Sequence, residues 1–175
     1  ITAGSAIDWL VELGIARDAA EVSALAASAM SSAGVAFVPA LQGLGTPFMD
    51  DAARGALLGL SRGSGRAEIA CAALEGVAQR CTDVCEAFPL GRGPLRVDGG
   101  LAQSDFLLQA LANFSGREIA RAREVESTAL GAAFLAGLAT GVFASLESSH
   151  ASLPAPTIFA PRFERAEREA ARARW

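Results

Sequence analysis

The stretch Leu95-Arg96-Val97-Asp98-Gly99-Gly100-Leu101-Ala102 carries the residue types best suited to chemistry in this chain. A short apolar run stops at an acid and two glycines, and a helical pattern follows directly. Glycine adopts backbone angles that other residues avoid and lets a flat ligand approach the main chain. The helix start adds unpaired N–H groups and a partial positive charge. Such a turn suits a nucleotide, and it also suits a plain tight turn in which the glycines serve the backbone alone. Three single residues share that ambiguity. Asp98 either holds turn amides or faces a ligand, Glu75 either pairs with an arginine such as Arg54 or serves a site, and Thr128 either opens a helix or borders a site.

Other chemistries lack the residues they need. Cys71, Cys81 and Cys85 fall in one helical stretch without C-x-x-C spacing, so they read as small core residues rather than a zinc cage or redox pair. The only histidine, His150, sits in a Ser-rich connection, so neither a histidine metal cluster nor a Ser-His-Asp triad can be assembled. No Walker A motif is present, and Gly43-Leu44-Gly45 lacks the remaining glycine of a dinucleotide fingerprint. A net charge of −4 argues against a surface that neutralises nucleic acid.

The elements that position these residues follow from periodicity. Ile7, Trp9, Leu10 and Leu13 predict one helix over 3–13 and Asp18 to Met30 a second. Val35 to Leu41 reads as a buried strand, and a second short strand lies around Ala56 to Leu60. From Arg66 onward, Ile69, Ala73, Val77, Cys81, Val84 and Phe88 form one apolar stripe on a long helix. After the Gly91-Arg92-Gly93-Pro94 connection come the strand Leu95 to Val97, a helix with Phe106, Leu107, Ala110, Leu111 and Phe114 inward, and a strand over Glu118 to Ala122. Thr128 to Phe143 is nearly all apolar but shorter than the roughly 20 residues a membrane span needs, which predicts a buried helix. Its Ala129, Ala133, Gly137 and Gly141 make a smooth ridge, and Gly131 reads as a close-packing position. The tail Arg162 to Trp175 places Glu164/Arg168 and Arg165/Glu169 at i,i+4, as a solvated terminal helix does. A length of 175 residues, about half of them apolar, suits one substantial core. The opening Ile1-Thr2-Ala3-Gly4 has no initiator Met, basic region or cleavage signal, which reads as a cut in a longer polypeptide.

In this order the pieces resemble the C-terminal half of the FGGY carbohydrate kinases, the glycerol-phosphorylating members most of all. Four stretches carry the resemblance: Ala3 to Leu10, Phe37-Val38-Pro39-Ala40 through Phe48, Ala53-Arg54-Gly55 through Leu60, and Ala72-Ala73-Leu74-Glu75. The last two form the family's C-terminal signature, which Gly55, Leu57, Gly59, Leu60, Glu68, Ile69, Ala72, Ala73, Leu74 and Glu75 satisfy throughout. Val97-Asp98-Gly99-Gly100 looks like the adenosine motif of the wider sugar kinase, actin and Hsp70 ATPase fold. Thr128 to Ala133 looks like its second interdomain connecting helix.

The resemblance implies an α/β fold: the C-terminal half of an actin-like (ribonuclease H-like) ATPase, helix-rich with a few core strands. Residues 1–160 would be the nucleotide-binding domain without its first strands, and 161–175 a charged terminal helix. It implies the ATP-binding half of a cytoplasmic kinase that phosphorylates glycerol or a related polyol or sugar, with ATP and Mg²⁺ as cofactors. The catalytic aspartate, the phosphate loops and the substrate pocket would lie in preceding segments, so no catalytic or metal-binding residue is assigned here, and the fragment alone would be inactive. Mg²⁺ would be bound mainly through the nucleotide and the N-terminal kinase domain of the same polypeptide. Nucleic acid and membrane are not partners in this reading, and homo-oligomerisation stays open. By position, Gly4, Asp8, Gly99, Gly100 and Ser104 would line the adenosine site. Asp8 stands where glycerol-phosphorylating members carry a glutamine and Ser104 where an asparagine is common. The loop Gly45 to Asp50 replaces their usual aromatic pair, which bears on the acceptor. These departures motivate the alternative of a non-catalytic, kinase-like binding or regulatory module.

Overall fold

The computed structural model describes residues 3–89, 91, 93–123, 126–151 and 153–175. Ile1, Thr2 and Arg92, and the side chain of His150, lie outside the described set. Two helices open the chain, α1 (Ala3–Glu12) and α2 (Ala19–Ser28). Asp18 starts the second, its Oδ1 accepting the Glu21 N–H at 2.8 Å. Leu13 lies beyond α1 and is exposed.

Strands β1 (Ala36–Val38) and β2 (Ala56–Leu58) pair antiparallel, Phe37 opposite Leu57. The second strand stops at Gly59, where φ is +73° and a Cβ would stand 2.2 Å from the Gly34 carbonyl oxygen. Helix α3 (Arg66–Ala87) runs through the centre and packs against α2, β1 and α4 (Asp105–Ser115). Its first half is buried nearly all round, at Ala70, Cys71, Ala72, Ala73, Leu74, Gly76, Val77 and Ala78. The single stripe read from periodicity is therefore too narrow, because small side chains let neighbours approach from several sides. At the far end Phe88 leaves the helix and is 52% exposed.

Strand β3 (Leu95–Val97) leads through a 3-10 turn, Gly100–Gln103, into α4 and back to β4 (Ile119–Arg121), which pairs parallel to β3. A strand not read from the sequence, β5 (Thr157–Phe159), adds antiparallel to β4, leaving β3 at one edge of this sheet. One core joins α1, α2, β1, α3, α4 and β4, with Trp9 stacked on Phe37 at 5.8 Å between centroids.

Two expectations are corrected. Helix α5 (Ser127–Ala139) forms but is not buried: only Phe134 and Gly137 are enclosed, and Leu135 is 63% exposed. An apolar helix needs a partner on every side, and among the described elements it packs chiefly on α6 (Leu146–Ala151). Gly131 and the exposed Ala129 and Ala133 close-pack with nothing described; at Gly137, by contrast, a Cβ would meet the Phe143 ring at 2.5 Å. Second, the tail helix α7 (Arg165–Arg174) is solvated on one face only. Arg165 and Glu169 pair in solvent, while Ala171 is buried, Arg172 reaches into α3 and the Trp175 indole donates to the Phe37 carbonyl at 3.1 Å.

Candidate functional site

The glycine turn follows β3 as its sequence predicts, but the helix does not follow directly: a 3-10 turn, Gly100–Gln103, stands between the glycines and α4. Gly99 has φ +86°, a conformation costly for any residue with a Cβ, and its carbonyl accepts the Ala102 N–H at 3.0 Å. Gly100 begins the 3-10 turn, and a Cβ there would meet no atom within 4 Å. Its being glycine therefore has no internal steric cause. Ser104 is 6% exposed and caps α4, its Oγ accepting the Leu107 N–H at 3.2 Å. Arg121 at the end of β4 clamps the turn, donating to the Ala102 carbonyl at 3.2 Å and to Asp105 Oδ1 at 2.6 Å.

Gly4 lies in the first turn of α1, again with open space where a Cβ would be, and Asp8 is exposed one turn later on the same face. Ala3 and Val97 line one cavity of about 510 Å³, so the start of α1 and the end of β3 meet at its wall. Gly4 and Asp98 adjoin those two lining residues, whereas Gly99, Gly100 and Ser104 belong to the turn beyond. The cavity walls are largely apolar, with Val77, Val84, Leu95 and Leu111, and Arg80 and Arg96 are the cations on them. Among the described residues, no group of three or more His, Cys, Asp or Glu could hold a metal ion.

Several of the signature residues turn out to be packing residues, while Leu60 is exposed and Glu68 caps the start of α3, accepting the Gly65 N–H at 2.9 Å. Gly55 leaves room for Leu41, whose Cδ2 would stand 2.8 Å from a Cβ, while Ala72, Ala73 and Leu74 are core. Glu75 does not pair with Arg54, which instead donates to the carbonyls of Asp51 and Ala53 at 2.8 Å each. Burial raises the Glu75 carboxyl above its ordinary value, against hydrogen bonds from Ser32 and Cys71 and the more distant Arg174 that pull it down. Burial also pushes the Cys71 thiol up to about 12, with Glu75 adding to the effect, and raises Cys81 and Cys85. All three stay protonated thiols at neutral pH, in keeping with a packing role.

Sequence reasoning missed the cations that brace the site. Arg80 lines the cavity, donates to the Thr46 carbonyl at 3.0 Å and stacks over the Phe48 ring at 4.8 Å. Arg121 had one available signal, a basic residue at the end of a predicted strand. Arg80 offered only its i,i+3 spacing to Asp83, because the loop it holds, at Thr46, lies 34 residues away.

A parallel β3-α4-β4 unit opening on a glycine-lined turn and packed against α3 belongs to the C-terminal half of an actin-like ATPase fold. Residues 1–140 match the FGGY family of carbohydrate kinases, C-terminal domain, and the chain belongs to that family. It is 46% identical over 98% of its length to a glycerol kinase of Aromatoleum aromaticum, and 47% identical over 99% to one from a Geobacter species. Among solved structures it resembles Plasmodium falciparum glycerol kinase with ADP, at TM-score 0.90 and 28% identity over 99% of this chain. It also resembles a ligand-bound xylulose kinase of Lactobacillus acidophilus, at TM-score 0.76 and 27% identity over 98%. The chain spans 36% of the length of each of these four proteins.

Proposed function

We propose that this chain is the adenosine-binding half of an ATP-dependent kinase that transfers the γ-phosphoryl group to a hydroxyl of glycerol or a related polyol. The observation that carries this reading is the glycine pair after β3: Gly99 takes φ +86° and open space lies over Gly100, so a flat ligand can approach the backbone there. Gly4, equally uncovered in the first turn of α1, supports the same reading. Relatives named as glycerol kinases, one of them solved with ADP, give the substrate class.

Phosphoryl transfer depends on positioning and on neutralising the phosphates, which bound ATP and its Mg²⁺ supply together with the reacting group. This chain orients the adenosine. Gly4, Gly99 and Gly100 let base and ribose lie against the backbone, and Asp8 accepts from the adenine amino group. The Ser104 hydroxyl keeps its proton to donate, since its oxygen already accepts from Leu107. The base that takes the acceptor's proton, the first phosphate loop and the polyol pocket belong to an N-terminal domain of the same polypeptide, the second phosphate loop belongs to the upstream start of this domain, and the protein works in the cytoplasm. Among the described residues no helix is long and apolar enough to cross a membrane.

Within this reading residues 1–160 form the nucleotide-binding domain, completed by upstream strands, and 161–175 its charged terminal helix. The edge position of β3 and the apolar cavity beside it support strands arriving there, and the uncovered face of α5 supports contact with the N-terminal domain. One observation favours the second reading, a kinase-like module without catalysis: Ser104 is buried and committed to capping, a poor start for base recognition.

The test is Gly100→Val in the full-length protein, read by ATP titration and melting. ATP affinity falls at least about tenfold, or 1.4 kcal/mol, with the melting temperature unchanged. Unchanged affinity returns the glycine pair to a plain turn. Phosphorylation assays over glycerol, erythritol and pentuloses then separate kinase from module.

A further inference from the structure

A chain of charged contacts runs from the C-terminal helix to the wall of the cavity. Arg172 on α7 donates to Asp83 Oδ1 at 2.6 Å and to Gln79 Oε1 at 2.8 Å, both on α3, and reaches Glu86 at 2.9 Å. The other oxygen of Asp83 accepts from Arg80 at 2.5 Å. Arg80 in turn holds the Thr46 carbonyl at 3.0 Å and lies over Phe48 at 4.8 Å. Asp83, 8% exposed, thus divides its two oxygens between two guanidinium groups from different elements.

Without that carboxylate the two like charges would face each other in a poorly hydrated place, and Arg80 would lose the partner that aims it. The loop it aims at, Gly43 to Asp50, forms part of the cavity wall and exposes Phe48 and Met49. Its remaining bonds are local: Leu44 and Asp50 exchange backbone hydrogen bonds at 2.8 Å each, and Phe48 and Met49 donate to the Gly45 carbonyl at 3.0 Å.

We propose that Asp83 is a positioning residue that couples the C-terminal helix, through Arg80, to the loop Gly43–Asp50 and so sets the shape of the cavity wall. The coupling itself is independent of the reaction. Its kinetic consequence rests on the kinase reading, in which this loop bears on the acceptor while adenosine is held elsewhere.

Amide hydrogen exchange on the full-length protein tests the coupling. In Asp83→Asn the amides of Leu44, Phe48, Met49 and Asp50 exchange at least about tenfold faster, and those of α2 keep their rates. Arg172→Lys keeps the charge beside Asp83 but gives up the forked contacts, and it speeds the same four amides to a smaller extent. Asp83→Glu restores part of the protection. Loop rates unchanged in Arg172→Lys, or in Asp83→Asn where that variant folds, overturn the proposal: the loop's own bonds then suffice. In kinetics, Asp83→Asn raises the acceptor KM several-fold with the ATP Kd unmoved. No turnover with any acceptor in the unsubstituted protein counts against the kinase reading alone, since the exchange result stands without it.

Discussion

At the residue scale, the same residue types do different work according to what surrounds them. Gly76 and Gly100 are both glycines, yet a Cβ at the first would lie 2.1 Å from the Phe37 carbonyl oxygen and one at the second would touch nothing. The first glycine is required by the fold, and the second is free to answer to a ligand. Glu75 shows the same division. Its position in the family signature suggests chemistry, but its setting beside Ser32 and Cys71 is that of a half-buried structural acid. Because burial raises its pKa in the folded chain, the native state favours the protonated form. That stability is fully present below the ordinary carboxylate range and is lost as pH rises through the raised value. Glu75→Gln removes this dependence. The melting temperature of the unsubstituted protein should therefore fall more, as pH rises above the ordinary carboxylate range, than that of the variant. Parallel curves would mean that the carboxyl titrates as an exposed one does.

Among elements, α3 decides most of the geometry. It carries the signature residues Ala72, Ala73 and Leu74 into the core, receives β1 across Gly76, and offers Gln79, Asp83 and Glu86 to α7. Gly76→Ala should push β1 off this helix and destabilise the fold by about 1–3 kcal/mol. A thermal melt should show it as a loss of roughly 2–4 °C per kcal/mol. Gly100→Ala serves as the control with no shift, and equal melting temperatures for the two variants would contradict the close approach of β1 to α3. Periodicity located α3 and most of the other helices, because 3.6-residue spacing is a local property. It overstated the burial of α5, whose apolar residues are a requirement for partners rather than a description of them. It also passed over β5, three residues long, which exists only because β4 offers it an edge.

For the molecule as a whole, the described chain supplies a scaffold and, in the proposed reading, one side of a site. Its core closes around α3, while an apolar helix, an edge strand and an apolar cavity face outward. A kinase reaction needs a base and phosphate loops that none of these provides. The purified chain alone should transfer no phosphate from ATP to glycerol, whereas the full-length protein, with the N-terminal domain and the upstream strands, should. Measurable turnover by the isolated chain would refute the division of roles.

The sequence by itself determined the local facts: the glycine turn after a strand, the helix starting at Asp18, the signature from Gly55 to Glu75, and through these the family. Each depends on neighbours a few residues apart, where backbone sterics and hydrogen bonding act without regard to the rest of the chain. Tertiary structure alone decided which glycines are covered, that Glu75 meets Ser32 rather than Arg54, and that the arginines of the tail reach α3. Arg172 and Asp83 lie 89 residues apart, and long flexible charged side chains carry no periodicity that would announce such a meeting. Their contact exists because packing α7 against the core removes water from between them, and an ion pair in that setting is formed by the fold rather than by the local chain.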